Sequence, residues 1–387
     1  MSSYVDSRFV DVTVTPARHL YVHVPFCTRR CTYCDFAIAV RRVVPVDDYI
    51  RAVGTELEIC TRSEEVGPLE SIYLGGGTPS KLGPDGVSRL LDRVRGVAGV
   101  ELVSEAELTI EANPEDVTFD AARAWRAAGA TRLSVGVQSF GGPALAWMHR
   151  THNGEGARRA MDAARAAGFT NVSVDLIFAL PPDIERDWES DLEEALSMGP
   201  DHLSLYGLTV EPHSSLGKWR ARGELREAPE ELYAEEFLFA QKTLVSAGFE
   251  HYEVSNFARA GRRSRHNSAY WERVPYLGIG PSAHSFDGVT RRWNEREYER
   301  WKHRVQGGEW PVAGSEQLSR GNELAEVVYL ALRTTVGLAT LPTDRTMVDQ
   351  WVAERWAHVR GGRIQLTAEG WLRLDSLAAA LTDLRSR

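Results

Sequence analysis

Three cysteines carry the most specific chemistry in this chain. Cys27, Cys31 and Cys34 stand in Cys27-Thr28-Arg29-Arg30-Cys31-Thr32-Tyr33-Cys34, a CxxxCxxC spacing. Thiolates are soft metal ligands. Three of them on one short segment can ligate three irons of a [4Fe–4S] cubane and leave the fourth iron without a protein ligand. An open metal position is where a cofactor or substrate coordinates, the feature that separates catalytic from structural zinc sites. A single zinc with His23 as fourth ligand is the competing reading, and the cysteines alone leave it open. Of four cysteines in 387 residues, three fall in this cluster, which points to metal rather than to a disulfide framework. The fourth, Cys60, lies on the stripe Ile50, Val53, Leu57, Cys60, whose helical spacing marks a buried small hydrophobe.

Something must position these thiols. Short β-rich runs occur at Leu20–Val24, Ser71–Leu74, Leu108–Ala112, Arg132–Val137, Val172–Phe178 and Leu203–Leu208. Helical patterns fall between them, near 47–62, 84–97, 117–128, 143–167, 184–198 and 229–247. One junction recurs: RAAGATRLSVGV, RAAGFTNVSVDL, LSMGPDHLSLYGL and VSAGFEHYEVSN each place a glycine (Gly129, Gly168, Gly199, Gly248) between helix and strand. Glycine accepts the left-handed backbone that ends a helix. This alternation predicts an α/β fold with a parallel sheet and right-handed crossovers, a partial (β/α)6 TIM-like barrel. Past residue 300 the rhythm changes. Residues 316–356 read as helices, 361–366 as a turn into a strand, and 368–382 as a last helix. The expected division is a core of residues 1–300 and a smaller, mostly helical domain of residues 301–387, for which a winged-helix-like arrangement is one form.

Such a domain often binds DNA, but a net charge of −9 favours a structural cap over a nucleic-acid partner. No apolar run reaches membrane-spanning length, and Met1 to Ala17 lack the basic-then-apolar layout of a secretion signal. The cytoplasm is the expected location.

In a parallel barrel, functional groups collect at the C-terminal ends of strands. The second strand is followed by Gly75-Gly76-Gly77-Thr78-Pro79, where glycines let backbone approach a ligand. The third ends in Ile110-Glu111-Ala112-Asn113-Pro114, whose carboxylate can receive an ammonium group or a hydroxyl. Gln138, ending the fourth, offers both a donor and an acceptor. Arg150 presents a planar fork suited to a carboxylate. Asp175, flanked by apolar strand residues, is costly to bury without a partner. Each residue alone could be structural; their joint arrival at successive strand ends favours a ligand site.

Tyr21-Val22-His23-Val24-Pro25-Phe26-Cys27 with CxxxCxxC resembles the radical SAM superfamily. More narrowly it resembles the oxygen-independent coproporphyrinogen III oxidase group and its heme-chaperone relatives, the HemW type. The resemblance implies that the open iron binds the amino and carboxylate groups of S-adenosylmethionine (SAM), whose reductive cleavage yields a 5′-deoxyadenosyl radical. It implies SAM contacts from Gly76, Gly77 and Thr78 (methionine moiety), Glu111, Gln138, Arg150 and Asp175 (ribose diol), with Tyr33 at the adenine and Tyr21 beside the cluster. His266-Asn267-Ser268-Ala269-Tyr270-Trp271 matches the HNxxYW segment that resembles the heme-binding motif of the chaperone-type relatives. It implies a heme contact from His266, Tyr270 and Trp271, with His284 a less supported ligand. The oxidases carry a cysteine two positions after the last cluster ligand, where this chain has Phe36, and a longer segment before the equivalent of Tyr21, which only twenty residues precede here. Both departures count against coproporphyrinogen decarboxylation. The implied activity is that of a heme chaperone, with heme as cargo. Its implied partners are heme-acceptor proteins such as membrane-associated respiratory enzymes, and an electron donor to the cluster. A radical enzyme with an unrelated substrate is the remaining alternative.

Overall fold

The structure is a computed structural model that describes residues 15–64 and 66–387. The segment Met1 to Ala17, to which the expectation about a secretion signal refers, lies outside these residues except for its last three positions.

Twelve strands form one sheet. In chain order they are β1 Ala17–Val24, β2 Val66–Gly76, β3 Leu102–Ala112, β4 Arg132–Gln138, β5 Val172–Phe178, β6 His202–Gly207, β7 Glu250–Glu253, β8 Asn256–Ala258, β9 Tyr276–Ile279, β10 His284–Phe286, β11 Thr290–Asn294 and β12 Val312–Gln317. The spatial order is β12-β11-β10-β9-β1-β2-β3-β4-β5-β6-β8-β7. Neighbours from β1 to β6 pair in parallel, as the strand–helix alternation requires, and β9 adds a further parallel strand on the far side of β1. The pairs beyond β9 and beyond β6 are antiparallel. The six parallel strands are the expected open (β/α)6 arrangement.

The crossovers are helices α1 Val46–Ser63, α2 Gly83–Arg95, α3 Phe119–Ala127, then α4 Gly142–Trp147 and α5 Gly154–Ala166, and α6 Trp188–Ser197. After β6 come α7 Ser215–Ala221 and α8 Glu230–Ser246. Helix starts follow their caps: Thr118, Asn153 and Asp187 accept backbone N–H bonds at the first turns of α3, α5 and α6. The stretch read as one helix over 143–167 is two. His149 takes a left-handed φ of 60°, which stops α4, and Asn153 restarts the chain as α5. Each recurring junction glycine has positive φ, as the sequence pattern demands.

The wall has two chemically distinct faces. Leu20, Val22, Ile72, Leu74, Leu108, Ile110, Leu133, Val135, Val172 and Val174 join the helices in one hydrophobic core, which also takes in Cys60 with Val53 and Leu57. The alternate positions are polar: His19 with Ser71, Tyr73 with Glu111, and Ser134 with Asp175 meet side chain to side chain across neighbouring strands, and Ser173 meets Asp175 along β5. The period of two along each strand sorts these sets.

Helix α9, Arg265–Trp271, lies toward the N-terminal ends of the strands, where its first N–H groups donate to Glu107. Helix α10, Tyr298–Gln306, packs on α1, and Trp301 Nε1 donates to the buried Glu56 at 2.8 Å. The expected division at residue 300 therefore falls inside α10, and the main sheet continues to Gln317. Beyond it, α11 Arg320–Leu332, β13 Leu338–Ala339, α12 Arg345–Ala353, β14 Ala357–Arg360, β15 Arg363–Leu366, α13 Ala368–Trp371 and α14 Leu374–Ser386 follow. Their three strands pair antiparallel in the order β13-β15-β14, a winged-helix-like helix–strand–helix–hairpin sequence. The all-helical reading of 316–356 misses β13 and the end of β12.

Candidate functional site

The cysteine loop leaves β1 through a parallel ribbon pairing Phe26–Cys27 with Ala39–Val40. Thr32 ties the loop to two elements: its N–H donates to Met148 O at the end of α4, and its carbonyl accepts from Leu216 in α7. Cys27, Cys31 and Cys34 are free, half-buried thiols on one rim of a cavity of about 670 Å³. That volume is within the range of small-molecule sites. Burial pushes the Cys27 thiol up to about 11, partly offset by a hydrogen bond with Thr78 Oγ1 at 3.3 Å. A metal binding there displaces the thiol proton.

His23 is not available as a zinc ligand. Its Nε2 bonds Ala37 O at 2.8 Å, its Nδ1 bonds the Tyr21 hydroxyl at 3.1 Å, and burial lowers its pKa to about 4. Among the described residues no group of three His, Cys, Asp or Glu side chains is placed to hold one metal ion. Three thiols on one loop beside an open cavity suit a larger group that takes each sulfur on a different iron.

The cavity gathers the expected strand-end residues. Tyr33, Gly76, Gly77, Thr78, Glu111, Gln138, Arg150 and Asp175 all line it. Gly76 has a φ of 108°, and a side chain there would strike the His23 ring. A Cβ on Gly77 would come within 2.7 Å of the Pro25 backbone. Only glycine lets the β2 end pass this close beneath the cysteine loop. Glu111 accepts from the Tyr73 hydroxyl at 2.7 Å and the Gly76 N–H at 3.1 Å, and burial pushes it up to about 7. Asp175 accepts from Ser134 at 3.0 Å and Ser173 at 3.2 Å; burial raises it as well.

Gln138 follows a bulge in which Gly136 opposes Asp175 and Gln138 opposes Leu176, and its φ is 70°. A left-handed glutamine costs energy, and such strain is characteristic of functional positions. Arg150 sits in the break between α4 and α5. Its Nη1 approaches Cys31 Sγ at 3.8 Å, and Nη2 donates to Asn113 Oδ1 and Gly136 O at 2.8 and 2.6 Å. Its Nε is buried without a partner. Thiols for iron, carboxylates for a cation and an arginine donor for an anion together fit a cluster with an aminocarboxylate sulfonium beside it.

Tyr21 does not line the cavity. It lies deeper in the wall, stacked on Tyr73 at 6.2 Å, with its hydroxyl on His23. The residues expected to meet heme are also elsewhere. His266 is 1% exposed; its Nδ1 bonds Ser71 Oγ at 2.7 Å and its Nε2 bonds the Tyr270 hydroxyl at 2.8 Å. Both nitrogens are engaged in this conformation. Tyr270 and Trp271 line a separate cavity of about 310 Å³ with Tyr276, Phe286, Arg273 and Arg291. His284 is exposed beside Trp293.

Sequence reasoning passed over Asn113, Ser134, Tyr206 and Glu211, which line the main cavity, and Tyr73 and Arg132 below it. For Arg132 and Ser134 the signal was present as polar residues at alternate positions of an otherwise apolar strand, Arg132-x-Ser134.

A strand-end cavity under a CxxxCxxC loop on an open (β/α)6 wall defines a protein of the radical SAM class, and the radical SAM superfamily profile matches residues 21–195. The heme chaperone HemW of Mycobacterium tuberculosis (strain H37Rv) is 36% identical over 368 residues, 94% of each chain. HemW of Bacillus subtilis (strain 168) is 32% identical over 82% of this chain and 84% of its own. The mitochondrial radical S-adenosyl methionine domain-containing protein 1 of Mus musculus is 38% identical over 82% of this chain and 74% of its own. The chain belongs to the HemW family of the radical SAM superfamily. Coproporphyrinogen III oxidase (HemN) of Escherichia coli shares the fold, with a TM-score of 0.79 over 96% of this chain and 91% of its own at 24% identity.

Proposed function

We propose that this protein is a cytoplasmic heme chaperone. It carries a [4Fe–4S] cluster on Cys27, Cys31 and Cys34, holds SAM in the adjoining cavity, binds heme, and passes it to acceptor proteins such as respiratory enzymes. The observation that carries the reading is the near full-length likeness to relatives named as heme chaperones. Phe36, 63% exposed at the cavity rim, supports it, because the oxidase group has a cysteine at that position.

The cluster and SAM, when bound, supply one-electron chemistry at the cavity rim. The chain's own residues bind and orient. Arg150 offers a guanidinium to the SAM carboxylate, and Glu111, Gln138 and Asp175 offer acceptors to its ammonium and ribose. Gly76 and Gly77 admit backbone contact, and Tyr33, packed near Leu145 and Ile177, walls the adenine. The heme reading for His266, Tyr270 and Trp271 requires the His266–Tyr270 bond to open before the imidazole meets iron.

The test is anaerobic cluster reconstitution followed by heme titration, with and without SAM, and transfer to an apo heme protein. A Soret band that forms on the protein and moves to the acceptor is expected. No Soret change removes the chaperone reading, and protoporphyrinogen formed from coproporphyrinogen III replaces it with the oxidase.

A further inference from the structure

Arg132 is the first residue of β4 and one inward position below Ser134, which lines the cavity. It is 1% exposed, and its Nε and Nη1 have no hydrogen-bond partner. Burying a guanidinium without partners is expensive, and this group cannot shed its proton. Among the described residues no carboxylate forms an ion pair with it. The cost is therefore not repaid by a contact within the wall.

We propose that Arg132 is a positioning residue for the SAM cavity: a permanent buried cation, set beneath the carboxylates of Glu111 and Asp175, that draws both toward the anionic form facing a cationic ligand. This rests on the SAM reading of the cavity. The electrostatic surroundings support it. Burial raises both carboxyls, and the charge of Arg132 pulls both back down. Glu107, on β3, faces Arg132 from below but is held by the N–H groups of Arg265 and His266. The remaining titratable groups around it, Tyr73 on β2, His202 on β6, Tyr252 on β7 and His266 on α9, are neutral, since burial raises the tyrosines and lowers the histidines. Arg132 thus acts through Glu111 and Asp175 by field rather than by touching the ligand.

The test is SAM affinity of the cluster-loaded protein between pH 6 and 9, in wild type, Arg132→Gln and Arg132→Lys. In wild type, affinity strengthens as Glu111 ionises near pH 7. In Arg132→Gln the midpoint moves up by about one unit, so binding weakens about fivefold at pH 7 and recovers at pH 9. Arg132→Lys keeps the wild-type midpoint. Cluster iron is equal in all three. If Arg132→Gln does not fold, Arg132→Met carries the same expectation, because apolar replacements of buried charges are commonly tolerated. A neutral variant whose pH profile coincides with wild type overturns the role of Arg132 alone. A wild-type protein that binds no SAM at any pH overturns the SAM reading with it.

Discussion

The guanidinium of Arg150 lies 3.8 Å from the sulfur of Cys31, so one side chain bridges the thiol loop and the cavity floor. Its Nη2 donates to both Asn113 and Gly136, and Nε is left over. Because Arg150 approaches the Cys31 thiol and offers no metal-binding atom itself, its loss is expected to separate the two proposed functions, cluster binding and SAM binding.

In Arg150→Ala the cluster iron stays and SAM binding weakens. A charge-assisted hydrogen bond contributes about 1.5–3 kcal/mol, or roughly tenfold to a hundredfold in affinity. Iron analysis beside SAM titration checks this. Wild-type affinity in the variant would remove Arg150 from the binding site.

Glu111→Gln should flatten the pH dependence of SAM binding. The wild-type carboxyl, pushed up to about 7 by burial, ionises as pH rises and then attracts the cationic ligand. The amide never does. Binding titrations at pH 6 and pH 8 suffice; equal slopes in both proteins would show that another group titrates.

Glu56 governs stability rather than binding. It accepts from Gly280, Trp301 and Asn294, and burial still pushes it up to about 8. Its folded pKa exceeds the unfolded value, so the native state holds the extra proton between about pH 4.5 and 8, and stability falls as pH rises through that window. Glu56→Gln carries no such slope. Thermal melts at pH 5 and pH 8 should show the variant gaining on wild type at the higher pH; a constant gap contradicts the ionisation. Glu56→Ala, which strands the Trp301 and Gly280 donors, should lose about 2–5 kcal/mol at either pH.

Tyr270→Phe tests the heme reading. It removes the O–H bound to His266 Nε2 and frees the nitrogen for iron. A neutral hydrogen bond nets about 0.5–1.5 kcal/mol, so heme affinity should rise roughly twofold to tenfold. Soret titration measures it, with His266→Ala as the null control. Unchanged binding in both variants would move the heme site elsewhere.

The six-strand wall and the residues that its strand ends bring to the cavity were legible because they rest on local signals. Apolar runs gave β1 to β6, the junction glycines gave the helix ends, and the cysteine spacing gave the loop at the cavity rim. What escaped depends on tertiary placement. The break at His149 is the exception: no proline announces it, but the run from His149 to Gly156 holds no apolar residue and contains Asn153-Gly154, a local signal that the reading of one helix passed over. Strands β10 and β11 are only three and five residues long, and β11 carries Arg291 and Arg292. Tyr21 reads as a cavity residue until the sheet register places it beside Tyr73. His266 reads as a free ligand until Ser71, distant in sequence, arrives at its ring.

The oily side of this wall faces its helices, and its hydrophilic side faces the cavity. Folding energy and ligand chemistry are thereby assigned to opposite sides of the same ribbons. Exchanging a serine, carboxylate or tyrosine on the inner surface leaves the packing that holds the ribbons together intact. Such a scaffold can be re-equipped for a new occupant one inner residue at a time, which gives descendants of one ancestor room to diverge in chemistry while keeping their shape.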